Sequence, residues 1–435
     1  MNAQAHIAEP PFLVALNLTR RCNLACAHCY LDAGTRSDGT AGEMGTAEVT
    51  ALLDDIAALD DETMVVLTGG EPLLRRDIED IARHGADLGL MVVLGSNGTL
   101  LDGPRVASLA AAGVRGVGIS LDSLDPAYHD GFRGRPGAWE QAMNGIDACR
   151  RSGLGFQIHF SATEENAAEL DDMIAFAKSS GALVLNVFFL VCTGRGERFS
   201  GISVKTYDRV LERLTEAAHD DTGPLVRAKC APHFRRLAIE LDPAWAITPM
   251  HGYEAGGCLA GSRYCRVTPE GEVTPCPYIE EPAGSLRETS FAEIWRSSEL
   301  FARLRQPELG GRCGICEYRR VCGGCRARPA ARDGDLMGED FLCSYQPQGG
   351  AVIEPLPLAE SGVDWTDEAE KRLQRVPAFL RRMVRRRAED YVRSEGRLEV
   401  EAEDLKTLAR RRFGEAGPPR PELGVGAIGG GPRDV

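Results

Sequence analysis

The sequence predicts an α/β protein: a partial (β/α)6 barrel, then a cysteine-rich domain, then a small helical domain. Three observations predict it. Between residue 12 and about residue 220, six apolar or β-branched runs alternate with six helix-like stretches. From 256 to 348 the chain is rich in Cys, Gly and Pro and poor in long helical periods. After residue 363 a helical periodicity returns.

The six runs are Phe12–Leu18, Met64–Thr68, Met91–Leu94, Gly116–Leu121, Gly155–Ser161 and Leu183–Val191. The helix-like stretches lie near Ala47–Leu59, Asp77–Leu88, Pro104–Ala112, Ala138–Arg151, Glu165–Lys178 and Val204–Ala218. Continuous apolar runs suit buried parallel strands, and their alternation with helices suits βαβ units. An open doubly wound sheet is the alternative. In a barrel the chemistry sits on loops after the strand C-termini. The sequence puts four groups there: Cys22 to Cys29, then Gly69-Gly70-Glu71-Pro72, then Ser96-Asn97-Gly98, then Ser120 and Asp122.

The barrel spans 11–225 and a connecting segment 226–255. The cysteine-rich domain spans 256–348, with one helix expected at Phe291–Arg303. It lacks a large apolar core, and metal centres can supply folding energy in its place. A linker with Pro355 and Pro357 spans 349–362. The helical domain spans 363–415. Thr366 is its expected N-cap, with Asp367 and Glu368 in the first turn. Pro377 interrupts it; a second helix carries the stripe Leu380, Met383, Val384, Ala388, Tyr391 and Val392. A third carries Leu405, Leu408, Ala409 and Phe413, with Gly414 suited to its cap. The Gly- and Pro-rich residues 416–435 suit a disordered tail.

The 435 residues are enough for two or three domains. The net charge of −14 leaves no general basic footprint for nucleic acid or an anionic membrane surface. No apolar run is long enough to span a membrane. Met1–Pro11 lacks the pattern of a secretory signal. The expected location is the cytoplasm, where clustered cysteines point to metal or redox roles instead of disulfides.

Eleven of the 14 cysteines are grouped. The groups are Cys22-x3-Cys26-x2-Cys29; Cys258, Cys265 and Cys276; and Cys313-x2-Cys316-x5-Cys322-x2-Cys325, with Cys343 beyond. Cys149, Cys192 and Cys230 stand alone and suit small buried hydrophobes. Iron–sulfur clusters normally take four cysteines each. Three plus eight ligands then predict one cluster with an open iron and two closed ones. Structural zinc is the rival for the later groups, and His28 is a possible fourth zinc ligand in the first.

The loop Cys22-Asn-Leu-Ala-Cys26-Ala-His-Cys29, set after a first barrel strand and followed by Gly-Gly-Glu-Pro, resembles the signature of the radical S-adenosylmethionine (SAM) enzymes. The resemblance implies that SAM chelates the open iron through its amino and carboxylate groups. It implies reductive cleavage to a 5′-deoxyadenosyl radical that takes hydrogen from a substrate. Gly69, Gly70 and Glu71 match the family loop that meets the methionine ammonium. Ser96, Asn97, Ser120 and Asp122 match positions contacting the carboxylate and ribose. Tyr30 is expected beside the adenine or the cluster. Strand-end capping, or core packing for Tyr30, is the plain alternative for each.

Cys258-x12-Gly271-x4-Cys276 and the Cys313 to Cys325 run resemble the SPASM extension of these enzymes. By that resemblance Cys258, Cys265, Cys276 and Cys325 hold one auxiliary cluster, and Cys313, Cys316, Cys322 and Cys343 a second. All three would be [4Fe–4S] clusters. The step Cys322-x2-Cys325 is one residue shorter than in many members, which leaves the division of these two open. The auxiliary clusters are electron acceptors, structural, or both.

Phe188–Gly196, Ser120–Asp125, Tyr264–Tyr278 and Cys322–Arg328 resemble the branch that modifies iron tetrapyrroles in siroheme-dependent haem and haem d1 synthesis. Cys192 stands where that branch often has proline. Trp365–Ala369, Arg372–Pro377 and Phe379–Arg381 resemble the small domain ending one subunit of light-independent protochlorophyllide reductase. The implied substrate is an iron tetrapyrrole, with oxidative decarboxylation of propionates as the favoured reaction. Removal of acetate or propionate from a siroheme derivative is the alternative. Reduced ferredoxin or flavodoxin is the expected electron donor. An acidic porphyrinoid needs cations, and Arg133, Arg135, Arg195 and Arg198 are candidates at the rim. His233 is a candidate axial ligand or proton donor, against a structural role. A peptide maturase of the same superfamily and a non-catalytic electron carrier are the other readings.

Overall fold

The computed structural model describes residues 9–34, 41–191, 193–198, 201–220, 223–243, 257–354, 362–374, 376 and 378–413. Seven parallel strands follow one another across one sheet: β1 (Leu13–Asn17), β2 (Met64–Thr68), β3 (Met91–Ser96), β4 (Val117–Ser120), β5 (Phe156–Ala162), β6 (Val184–Phe189) and β7 (Leu225–Lys229). Three more join from the cysteine-rich region: β8 (Tyr264–Val267), β9 (Glu272–Thr274) and β10 (Gly284–Ser285). β8 pairs parallel with β1, and β9 and β10 continue antiparallel. The sheet order is β10-β9-β8-β1-β2-β3-β4-β5-β6-β7, so the sheet stays open between β7 and β10.

The six expected strands are present, and the structure adds a seventh. β7 falls in the span expected to begin the connecting segment. Its sequence, Leu-Val-Arg-Ala-Lys, alternates apolar residues with cations and hides among polar residues. A helix at Phe234–Leu241 follows it. The cysteine-rich domain is not a separate layer, because β8 extends the barrel sheet itself. A further helix, Pro126–Arg133, was not expected. Asp125 caps it by accepting from Ala127 N, Pro126 opens it, and Gly134 ends it at φ 69°. The single helix expected at Phe291–Arg303 is two, Phe291–Ser297 and Glu299–Arg305, broken at Ser298.

Outward-facing Val14, Leu16, Val65, Leu67, Val92, Leu94, Ile119, Ile158, Leu185 and Val226 pack against the surrounding helices as one core. Burying each such side chain is worth about 1.5–3 kcal/mol. At the base of the barrel, Leu13, Met64, Val66, Met91 and Val93 form a plug. Parallel register aligns a polar row across β4 to β7: Ser120, His159, Asn186 and Arg227. Ser161, Phe188 and Lys229 lie one layer nearer the strand C-termini.

The helical domain builds its core from Val363, Ala369, Leu373, Ala388, Val392, Val400 and Leu405. Thr366 caps its first helix, accepting from Ala369 N at 3.2 Å. Val384 packs on the pair Val184 and Leu225, as does Leu183. This contact lies where β6 and β7 begin, at the end of the barrel opposite the cysteine loop. Cys192, the middle of the linker, Pro377, Gly414, the tail, and the side chains of Arg198, Leu380, Met383 and Phe413 lie outside the described residues.

Candidate active site

The loop after β1 carries the three-cysteine group. Cys22 and Cys26 are 9% exposed, and Cys29 is partly buried. Four donors aim at these sulfurs. Leu24 N–H donates to Cys22 Sγ at 3.4 Å, and Ala33 N–H to Cys29 Sγ at 3.4 Å. Asn97 Nδ2 donates to Cys22 Sγ at 3.9 Å, and Arg133 Nη1 to Cys26 Sγ at 3.7 Å. Without a bound cation, burial pushes the Cys22 thiol up to about 11 and raises Cys26 as well. Donors converging on the three sulfurs of this loop fit thiolates that hold an iron–sulfur cluster.

Neighbouring strand ends brace this loop. Gly70 N donates to Thr19 O at 2.7 Å and Glu71 N to Arg21 O at 2.9 Å. A Cβ on Gly69 would stand 2.6 Å from Thr19 O, and one on Gly70 would overlap Arg21 O. The glycines therefore allow the close approach of two backbones. After β6, Gly194 sits at φ 57°, where a Cβ would stand 2.7 Å from both Cys29 O and Tyr30 O. Arg195 donates from N to Cys29 O, from Nε to Cys26 O at 3.0 Å, and from Nη1 to Asp32 at 2.8 Å.

Glu71 is fully buried. It accepts from Leu73 N, Asn97 N and the Ser96 hydroxyl at 2.9–3.1 Å. Burial raises its pKa to about 7 against the pull of those donors. Ser96 Oγ also accepts from Gly98 N, and Asn97 Oδ1 accepts from Thr99. These residues join the ends of β2 and β3 into one bracket. Asp122 is equally buried and accepts from Ser161 N at 2.9 Å and Arg133 Nε at 2.6 Å. Burial pushes its carboxyl up, but Arg133, His28 and His129 override it and hold it below the usual range. The Asp122 carboxylate is thus occupied by Arg133 and Ser161, whereas Ser120 faces the lumen.

Arg133 is not a free rim cation: it is 7% exposed and spans Cys26 and Asp122. Arg135 is held by Asn23 O and Gln141. Arg195 is committed to the cysteine loop. His28 lies flat on Phe132, with ring centroids 4.3 Å apart. Tyr30 accepts from Asn17 Nδ2 at 2.9 Å and meets Tyr278 edge-on at 5.6 Å, which puts it between the cysteine loop and the neighbour of Cys276.

In the cysteine-rich domain, Cys313, Cys316, Cys322 and Cys343 line one cavity, with Arg236 and Arg312 on its wall. Their common cavity fits one four-thiolate centre. Cys258, Cys276 and Cys325 pack together elsewhere. Cys265 does not join them: it is fully buried in the barrel core. Cys230 does join them, although its sequence position marked it as isolated. Cys149 is a core residue. His233 is 2% exposed; its Nδ1 bonds Tyr207 Oη at 2.8 Å and its Nε2 lies 3.4 Å from Asp340 Oδ2. Burial lowers its pKa to about 4. Its ring is enclosed by Tyr207 and Asp340 and borders the cavity lined by Cys313 and Cys343.

The lumen carries two cations of its own. Arg227 and Lys229 project on the same face of β7, two residues apart. Burial, then repulsion from Arg227, lowers Lys229 to about 7. His159 faces them from β5, lowered to about 4 by burial and by Lys229. A Cβ on Gly118 would overlap the His159 ring, so the glycine on β4 makes room for it. Phe188 stands beside His159, with ring centroids 5.3 Å apart.

Residues 16–177 match the radical SAM superfamily, and residues 258–326 match an iron–sulfur cluster-binding domain of the SPASM type. An AdoMet-dependent heme synthase of Methanosarcina barkeri is 42% identical over 347 residues, covering 78% of this chain and 98% of that protein. The chain belongs to the radical SAM superfamily. A pre-heme d1 synthase of Dinoroseobacter shibae is 33% identical over 352 residues, covering 77% and 87%. Residues 365–408 match the proto-chlorophyllide reductase 57 kD subunit. In fold, this radical SAM chain is similar to Streptococcus suis SuiB bound to S-adenosylmethionine, with TM-score 0.63, 17% identity and 79% of each chain covered.

This radical SAM enzyme therefore places its cofactor loop at the strand ends, as the cysteine spacing implied. Sequence reasoning missed Arg227, Lys229 and His159. The first two sit on the unrecognised strand, and His159 lies within a run read only as apolar. Period-two alternation at 225–229 was the available signal. No helix among the described residues is long and apolar enough to cross a membrane.

Proposed function

We propose that the chain is a haem-forming radical SAM enzyme that oxidatively decarboxylates propionate side chains of an iron porphyrinoid. The likeness to AdoMet-dependent heme synthase across 98% of that relative carries this reading. Each turnover removes one hydrogen atom, one carbon dioxide and one electron from a propionate and leaves a vinyl group. When bound, the first cluster and SAM supply the 5′-deoxyadenosyl radical that takes the hydrogen. Cys22, Cys26 and Cys29 hold that cluster, with Arg133 and Asn97 stabilising thiolate charge. The Gly69–Gly70 loop, the Glu71–Ser96–Asn97 bracket and Ser120 border the SAM side of the mouth. Arg227, Lys229 and His159 anchor propionate carboxylates, and Phe188 packs against the macrocycle.

The cysteines of the extension would hold two further [4Fe–4S] clusters, three in all, which would supply an acceptor for the electron left on the substrate. A low-potential carrier, reduced ferredoxin or flavodoxin, delivers the electron that starts each cycle. The second reading is removal of acetate or propionate from a siroheme derivative, favoured by the likeness to pre-heme d1 synthase. Anaerobic incubation with SAM, a reductant and iron-coproporphyrin III or didecarboxysiroheme separates the two by mass spectrometry. Carboxyl loss from the first substrate together with 5′-deoxyadenosine supports the main reading, and change in only the second supports the alternative. Cleavage of SAM with neither tetrapyrrole altered would sink both.

A further inference from the structure

We propose that Cys230, the residue directly after β7, supplies the fourth thiolate of the auxiliary cluster held by Cys258, Cys276 and Cys325, and that Cys265 supplies none. The inference rests on the reading that the extension carries two auxiliary clusters.

Packing gives the first argument. Cys230 and Cys258 pack with Cys276 and Cys325, walled by Ala260, Ile279 and Leu300. Cys265 belongs to another assembly, the barrel core that includes Val14 and Val267. Strand geometry gives the second. Successive residues of a strand point to opposite faces. Tyr264, on β8, packs with the cysteine group, so its neighbour Cys265 points away from it. In register, Cys265 lies beside Val14, which is fully buried.

The backbone gives the third. Cys230 has φ 57°, a left-handed conformation rare for a side-chain-bearing residue. Such a conformation persists only where its surroundings impose it. Here Arg328 Nη1 donates to Cys230 O at 2.6 Å. The same guanidinium grips Asp340 with bonds of 2.7 and 2.8 Å, and Asp340 accepts from Cys325 N at 2.7 Å. One buried ion pair therefore positions both Cys230 and Cys325.

The chemical count stays at eleven thiolates, but one auxiliary ligand now comes from the barrel. It also adjoins Lys229 in the chain, so the cluster lies one residue from the lumen strand that anchors substrate.

The test uses the full chain with Cys22, Cys26 and Cys29 changed to alanine, so that only auxiliary iron remains. After anaerobic reconstitution, iron and sulfide are counted and the reduced protein is examined by electron paramagnetic resonance. About eight iron atoms per chain are expected in this parent. C265S keeps that number and the parent spectrum. C230S loses about four irons, or keeps them with a changed signal from a serine-ligated centre. Loss of iron or a changed spectrum in C265S overturns the proposal, whether or not C230S folds. So does C230S with full iron and the parent spectrum. A parent with almost no iron overturns the two-cluster reading, and the proposal with it.

Discussion

The guanidinium of Arg133 lies 3.7 Å from the Cys26 sulfur while its Nε bonds Asp122 at 2.6 Å. A positive donor at a cluster thiolate favours the reduced, more negative cluster. Arg133→Gln should therefore lower the potential of the first cluster. Each 1.4 kcal/mol of lost stabilisation corresponds to about 60 mV for one electron. The same change strands a buried carboxylate, costing roughly 3–5 kcal/mol. Potentiometric titration and a denaturation curve read the two effects separately; an unchanged potential would remove Arg133 from the cluster's environment.

Glu71 predicts a pH dependence of stability. Its folded pKa is raised to about 7 by burial, against about 4.3 in an unfolded chain. The native state therefore keeps a proton that the unfolded state has lost. Stability from this group is greatest below about pH 4.3 and falls as pH rises to 7. The loss is on the order of 3–4 kcal/mol, at about 1.4 kcal/mol per unit. Urea midpoints measured from pH 5 to 8 should slope downward in the parent and less so in Glu71→Gln. Equal slopes would show that Glu71 is ionised throughout.

Lys229 and Arg227 predict a loss of substrate handling without a loss of SAM cleavage. A hydrogen bond to a charged group contributes about 1.5–3 kcal/mol, so Lys229→Met should lower kcat/KM for the tetrapyrrole roughly 10–100-fold. 5′-Deoxyadenosine should still form, now uncoupled from carboxyl loss. If SAM cleavage falls in parallel with decarboxylation, Lys229 serves the cofactor and not the substrate.

Val384 predicts that the helical domain acts as a brace. It packs on Val184 and Leu225 at the barrel base, and burying a valine is worth about 1.5–3 kcal/mol. Val384→Asp should raise amide exchange at Leu183–Leu185 and Leu225–Val226 and leave SAM cleavage intact. A change in tetrapyrrole affinity would instead give the domain a part in substrate binding.

Much of this architecture was legible because it rests on short-range patterns. Met64–Thr68 was read without error, since a buried parallel strand must be apolar on both faces. The cysteine loop was legible because three thiolates of one centre are adjacent in sequence. What could not be read depends on partners far apart. Arg133 looked like a loop cation until Pro126–Arg133 folded it back onto Cys26. Cys230 looked isolated because its companions lie 28 to 95 positions later. Cys265 was grouped with Cys258 and Cys276, and not with the barrel core, because spacing says nothing about which face of β8 a residue occupies. Lys229 was obscured because the strand bearing it has an interior made of cations.

The pairing of β1 with β8 also sets a timetable. β8 leaves the ribosome about 250 residues after β1. At roughly 5–20 residues per second, the outer edge of β1 waits ~10–50 s for its neighbour. A bare strand edge is a template for other chains. Substitutions that weaken β8 will therefore be felt first in the yield of protein that survives synthesis, before they are felt in the turnover of the enzyme that does.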